Sequence, residues 1–308
     1  MSKQIKSHVA ILMANLIYGV NYVVAKGVMP DYIKPLGLVF YRVLGASILF
    51  WIFSLFLPNE KVAKKDLLYI AVCAIFGVVG NQMLFLAGLN YTSPIDASIM
   101  MTVNPILVLV IASILIKEKI TNRKIVGIVV GAAGAIWLIL NKGEIDFSAK
   151  HFMGNIMIFL NALSYALYLV MIKPIMMKYK PVTVMKWVFV FGLIMVIPIA
   201  GNQAMQVDWG QIPTSIYLSI GYVIIFSTFV AYLCNIYALR NVKPTTVSIY
   251  IYSQPVIATV VAIILGQSDL TIIKVLAAVL VFIGVYLVSI PRKKFSLKES
   301  FLFRKLIS

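Results

Sequence analysis

The sequence predicts an all-α integral membrane protein with ten transmembrane helices in two inverted five-helix repeats, and three observations carry that prediction. The chain is 62% hydrophobic and 12% charged over 308 residues, with a mean hydropathy of +0.99, far above what a water-soluble core requires. Apolar segments of about 20 residues, the length that crosses ~30 Å of hydrocarbon, recur from end to end. The second half of the chain also repeats the first at an offset near 150 residues.

The expected spans are 9–28, 36–57, 67–89, 95–116, 125–140, 152–172, 182–200, 216–239, 245–265 and 275–290. Lys3 and Lys6 precede the first of them, but no small-residue cleavage site follows, and the run exceeds a signal-peptide core. It is expected to be retained. Cys73 and Cys234 both fall inside spans, where they suggest neither a disulfide framework nor a metal site. No cofactor is expected.

The net charge of +17 does not read as nucleic-acid binding, because the basic residues are scattered through loops rather than gathered on one soluble domain. Their distribution is topological. One set of alternate loops holds Lys61, Lys64, Lys65, Lys117, Lys119, Arg123, Lys124, Lys173, Lys178, Lys180, Arg240 and Lys243; the other holds Lys34, Lys142, Lys150 and Lys274 beside five acidic residues. Cytoplasmic loops are enriched in Lys and Arg. Both termini are therefore expected on the cytoplasmic side of the cell membrane, with an even number of spans. The expected units are a first repeat at 1–145, a second at 146–292 and a basic cytoplasmic tail at 293–308.

Shifted by 150 residues, the stretch 87–138 aligns with 237–288 without a gap, and about a quarter of the positions are identical. The matched prolines are the informative part: Pro94 and Pro105 meet Pro244 and Pro255. At an offset of 147, Tyr18 meets Tyr165 and Lys26 meets Lys173. Five spans per half, an odd number, would insert the second half upside down. Inverted repeats of this kind recur in secondary transporters, with the substrate site near the midplane where the halves meet.

The motifs Tyr18-Gly19 with Lys26, then Arg42, then Leu89-Asn90-Tyr91-Thr92-Ser93-Pro94 leading to Pro105, then Lys117-Glu118-Lys119, then Gly127, Gly131 and Gly134, follow one another in the chain. In that order they resemble the drug/metabolite transporter superfamily, specifically its EamA-type ten-helix members. The resemblance covers nearly the whole chain. It implies alternating access by two pseudosymmetric halves around a central cavity, amino acids, related metabolites or drugs as substrates, and export as the direction.

Polar groups in hydrocarbon are costly without partners, so their positions point inward. Asn15, Tyr18, Tyr22 and Lys26 share one stripe of the first helix, and Asn161, Tyr165 and Tyr168 form the matching stripe of the sixth. Asn81 and Gln82 correspond to Ala231 and Tyr232, with Asn235 one turn further; Thr102 and Asn104 correspond to Tyr252 and Gln254. The expected substrate-lining set is Asn15, Tyr18, Gln82, Tyr165, Tyr168, Tyr232, Asn235 and Gln254. Ordinary interhelical hydrogen bonding is the competing account of each. Pro105 and Pro255 each remove one backbone donor and free a carbonyl, at Met101 and Ile251, which makes them candidate hinges or plain packing kinks. Arg42 and Lys186 lie within about two turns of helix ends, and snorkelling to the interface is the preferred account of both, with the same ambiguity at Lys26. Asp96 reads as a helix N-terminal charge. Gly127, Gly131 and Ala135, at spacing four, allow another helix to approach closely, either within the monomer or across a homodimer.

These features favour a secondary transporter of a small polar metabolite in the lipid bilayer. No Walker motif suggests direct ATP coupling. A membrane-embedded enzyme and a channel are the alternatives. The enzyme lacks a buried carboxylate pair, and the channel lacks a charged ring or a filter-like motif.

Overall fold

The computed structural model describes residues 2–140, 149–264 and 271–290. The tail expected at 293–308, and the loop residues Glu144, Asp146, Gln267 and Asp269, lie outside the described residues. Within them every regular element is helical. The first half contains α1 (Lys3–Val28), α2 (Pro35–Leu55), α3 (Lys64–Ala74), α4 (Asn81–Tyr91), α5 (Pro94–Met101), α6 (Asn104–Leu115) and α7 (Asn122–Leu140). The second contains α8 (Ala149–Lys178), α9 (Pro181–Met205), α10 (Thr214–Tyr222), α11 (Ala231–Asn241), α12 (Pro244–Ile249), α13 (Ser253–Ile264) and α14 (Ile272–Ser289).

Local chemistry sets where these helices start. Proline stands in the first turn of α2, α5, α6, α9 and α12, where its missing N–H is no loss. Ser93 caps α5: its Oγ accepts from the Asp96 N–H at 3.0 Å and donates to Asp96 Oδ2 at 2.8 Å. Asp96 thus serves the helix start, in keeping with its position in the sequence.

Among the described residues, eight helical segments are long and apolar enough to cross a membrane: Lys3–Val28, Pro35–Leu55, Lys64–Tyr91, Asp96–Leu115, His151–Lys178, Pro181–Met205, Thr214–Asn241 and Ile272–Ser289. The sequence leads to an expectation of ten. The other two expected spans are the 19-residue α7 and the stretch from 245 onward, where α12 passes through a 3-10 turn at Tyr250–Tyr252 into α13 instead of running on as one helix. Outward apolar side chains such as Leu55 and Leu218, 78% and 73% exposed, suit contact with lipid rather than water.

Elements recur along the chain at the expected offset. α3 and α4 are joined by a π-helical segment, Ile75–Gly80, and α10 and α11 by another, Val223–Val230, so that Lys64–Tyr91 and Thr214–Asn241 match end to end. A π segment opens the helical hydrogen-bond ladder and exposes carbonyls that must be satisfied from elsewhere. Ser164 Oγ donates to the Phe76 carbonyl at 2.8 Å, Tyr232 OH to the Gly77 carbonyl at 2.9 Å and Asn161 Nδ2 to the Asn81 carbonyl at 2.7 Å. Side chains from other helices are thereby drawn to the middle of the bundle.

The two corresponding lysines make corresponding contacts. Lys26 Nζ donates to the carbonyls of Leu89, Asn90 and Thr92 at 2.7, 3.0 and 3.1 Å, closing the end of α4. Lys173 Nζ donates to those of Leu239, Arg240 and Val242, closing the end of α11. An ammonium against helix C-terminal carbonyls is favoured by the helix dipole as well as by hydrogen bonding. The two caps lie at opposite ends of the bundle, since Asn241, beside the second, donates to Ser7 Oγ near the start of α1, whereas Lys26 is near its end. Snorkelling therefore does not describe Lys26.

α7 packs against α14 through glycines. A Cβ on Gly127 would lie 2.9 Å from the Gly284 carbonyl oxygen, and one on Gly134 would lie 2.8 Å from that of Ala277, so the two helices run antiparallel at close range. The face carrying Gly127, Gly131 and Ala135 is thus covered within the chain, and Ala135 is fully buried. A homodimer through that face would have to displace α14.

Candidate functional site

The bundle contains a central cavity whose empty space, open solvent included, is about 630 Å³. It is lined from α1, α2, α4, α5, α8, α11, α12 and α13, with Ile251 of the 3-10 turn, so both halves contribute.

Seven of the eight expected residues line it: Asn15, Tyr18, Gln82, Tyr165, Tyr232, Asn235 and Gln254. Hydrogen bonds across the halves hold all of these but Tyr165. Gln254 Nε2 donates to Asn15 Oδ1 at 2.8 Å, and Asn15 Nδ2 donates in turn to its own helix at the Ile11 carbonyl. Asn235 Nδ2 donates to Tyr18 OH at 3.2 Å. Gln82 Nε2 reaches Tyr232 OH at 3.4 Å, and these two positions are separated by the repeat offset.

Tyr168 is the exception. It is buried, but its ring packs against Gly77 and its hydroxyl lies 3.5 Å from Met185 Sδ, behind the wall rather than in it. Periodicity alone defines the stripe on α8, and a tyrosine one turn along from Tyr165 falls where the π segment brings Gly77 close enough to cover it. Asn21 does line the cavity and is absent from the expected set. It stands at the position that the 147-residue offset pairs with Tyr168, and that pairing is the signal in the sequence that points to it.

The wall also includes Tyr22, Asn81 and Asn161, which share the polar stripes of the sequence, and the apolar Phe85, Met101, Val247 and Ile251. Arg42 overturns its expectation. It is 4% exposed and faces the cavity, so it does not snorkel. Its Nε donates to Thr228 Oγ1 at 3.0 Å, and Thr228 Oγ1 donates to the Val223 carbonyl at 2.7 Å across the open π ladder. The second π segment thus supplies a hydroxyl that turns the guanidinium inward. Lys186 behaves differently: its ammonium sits 4.8 Å from the centre of the Trp51 ring on the periphery, as an interfacial side chain does.

Pro105 and Pro255 each stand beside an interruption of the helical ladder. α5 ends in i→i−3 bonds, Thr102 N–H to Ile99 and Val103 N–H to Met100, before Pro105 opens α6. Pro255 follows the 3-10 turn at the start of α13. Tyr252 OH donates to the Thr102 carbonyl at 2.9 Å, tying one break to the other. Among the described residues no group of three or more His, Cys, Asp or Glu side chains is placed to hold a metal ion.

Apolar helices around a central cavity that polar and apolar side chains line together define the class, a multi-pass membrane protein. The chain belongs to the EamA-like transporter family, whose model matches it twice, over residues 5–140 and 152–290. It is 25% identical to the uncharacterized transporter YyaM of Bacillus subtilis (strain 168), over 96% of this chain and 98% of that one. It is 27% identical to an uncharacterized transporter of Archaeoglobus fulgidus, over 92% and 96%, and 28% identical to the uncharacterized inner membrane transporter YedA of Escherichia coli (strain K12), over 94% and 92%. A crystal structure with 15% sequence identity superposes with a TM-score of 0.75 over 96% of this chain and 99% of its own, and so shares the fold.

Proposed function

We propose that this protein is a secondary transporter that carries a small polar metabolite, an amino acid or a related compound, across the cytoplasmic membrane by alternating access, in the direction of export. The observation that carries the reading is the cavity itself, a set of amides and tyrosines drawn from both halves of the chain into the middle of an apolar bundle. In this reading α7 and the α12–α13 stretch are spans too, making ten, and the halves are inverted. Three facts support inversion: equivalent lysines cap opposite ends of the bundle, α7 and α14 run antiparallel, and the equivalent pairs 82/232 and 102/252 touch one another, as residues on a two-fold axis must. Pro105 and Pro255 are the hinges about which the broken helices rearrange.

The test is reconstitution into liposomes with a panel of labelled amino acids and polar metabolites, with and without a pH gradient. Saturable flux of at least one solute is expected, and saturation separates a carrier from a channel. Tyr18→Phe or Gln82→Ala should raise the apparent binding constant by several-fold to about a hundredfold, because a lost hydrogen bond is worth ~0.5–1.5 kcal/mol and an unsatisfied partner ~1–3 kcal/mol. Affinity unchanged while thermal stability drops would make these residues interhelical glue.

Orientation has its own test. Lys61→Cys, Lys119→Cys and Lys178→Cys should each be shielded from a membrane-impermeant thiol reagent in intact cells and labelled after permeabilisation, because cytoplasmic loops carry the basic excess. Labelling from outside would reverse the topology.

A further inference from the structure

We propose that Arg42 is a carboxylate subsite of the central cavity and that the transported solute is a small amino carboxylate, its ammonium group received by unpaired amide oxygens in the same cavity. The proposal rests on the cavity being the transport site. It is carried by what the cavity leaves unpaired.

Arginine cannot be neutralised by losing a proton at any ordinary pH. A buried cation without a counter-ion is strongly unfavourable. Arg42 is 4% exposed, and none of the residues lining the cavity with it is acidic. Its protein partners are neutral hydroxyls, Thr228 Oγ1 on Nε at 3.0 Å and, at the long limit, Ser227 Oγ on Nη2 at 3.5 Å. They fix the plane of the guanidinium without balancing its charge. They also occupy one edge of the fork, Nε with Nη2. Nη1 is buried and has no partner among the described residues. The edge formed by Nη1 and the remaining Nη2 hydrogen matches a carboxylate in the two-bond geometry that arginine favours.

The other unpaired groups in the wall are of the opposite kind. Asn21 Oδ1, Gln82 Oε1, Asn161 Oδ1 and Asn235 Oδ1 are buried acceptors with no donor among the described residues. The Asn161 amide orientation is set by chemistry, since its Nδ2 donates to the Asn81 backbone carbonyl, which can only accept. Its oxygen is therefore left as an acceptor. Buried polar groups are normally satisfied, and a cluster that is not calls for a ligand. A neutral sugar would leave the guanidinium unbalanced, a simple amine would be repelled by it, and a plain carboxylate would leave the amide oxygens empty. A solute with one carboxylate and one ammonium answers both.

The experiment measures binding to the purified full-length chain in detergent, using the common amino acids, each beside its own primary amide, together with a set of sugars and nucleosides. The amide keeps the ammonium and side chain but removes the negative charge. The expected result is that at least one amino acid binds and that its amide binds about tenfold to a hundredfold more weakly, the range set by losing a charge-assisted pair. Arg42→Gln should weaken the amino acid by a similar factor and leave the amide nearly unchanged, while Arg42→Lys, which keeps the charge but not the fork, should fall between. Equal binding of acid and amide by the wild type overturns the proposal, and that comparison stands whether or not Arg42→Gln folds. Equal weakening of both ligands in Arg42→Gln also overturns it, making Arg42 a structural residue. Saturable binding of only sugars or nucleosides would refute the carboxylate subsite and the amino-acid substrate while leaving transport of a small polar solute intact; no binding and no saturable flux of any member of the panel would refute both.

Discussion

Gly284→Ala is expected to lower the stability of the detergent-solubilised protein by about 2–4 kcal/mol, and Gly284→Leu to abolish monodisperse yield. A Cβ at this position would lie 2.6 Å from the Gly127 carbonyl oxygen and 2.6 Å from the Gly131 Cα, so the obstacle is backbone on the facing helix. Backbone cannot change rotamer, and α7 and α14 would have to separate. Overpacking of a core typically costs ~1–3 kcal/mol, and the van der Waals attraction forfeited as the helices part adds to it. Gly201→Ala and Gly221→Ala are the matched controls, because a Cβ at either meets nothing within 4 Å. There the change should be neutral or stabilising by ~0.5–1 kcal/mol through reduced chain entropy. Thermal midpoints of the three variants decide the matter. If Gly284→Ala melts with the controls, α7 and α14 do not pack at this distance.

Lys26→Met and Lys173→Met are each expected to cost about 2–4 kcal/mol, and the two losses should add. Methionine keeps the length and most of the apolar stem, so the change removes the ammonium alone. Three carbonyls at the end of α4, or three at the end of α11, then lose their donor. Charge-assisted hydrogen bonds are worth ~1.5–3 kcal/mol each in the stronger cases, against averages near 0.6 kcal/mol for interhelical bonds in membranes, and the expected total takes the middle ground. Additivity follows because the two sites share no partner and lie at opposite ends of the bundle. The measurement is thermal unfolding of the single and double variants. Snorkelling lysines would give a different result, with each Met variant within about 0.5 kcal/mol of the wild type.

Much of the candidate site is legible without coordinates, for a reason specific to membranes. Bilayer hydrocarbon offers no partner to an amide or hydroxyl, so a polar stripe on an apolar helix must face protein. Asn15 and Tyr18 are found by period on one helix, and Tyr165, Asn235 and Gln254 by correspondence between the halves; all of them line the cavity. Such reasoning assigns a face, not a depth. Tyr168 shares the face of Tyr165 and is nonetheless sealed off by Gly77.

What the sequence alone determined is therefore whatever the solvent dictates locally: the apolar spans, the inward polar stripes, and the correspondence between the halves, near 150 residues for the paired π segments and 147 for the capping lysines. The tertiary structure alone decided the rest. It placed the π segments, which no local pattern announces: the carbonyls of Phe76 and Gly77 in the first accept from Ser164 and Tyr232, and that of Asn81 just beyond it from Asn161, all from distant parts of the chain. It assigned the glycine face of α7 to α14, a choice that depends on a surface found only in the other half. And it turned Arg42 inward: a long side chain two turns from a helix end is long enough to reach the interface or the interior, and the partner that holds it inside, the Thr228 hydroxyl, lies 186 residues away in the chain.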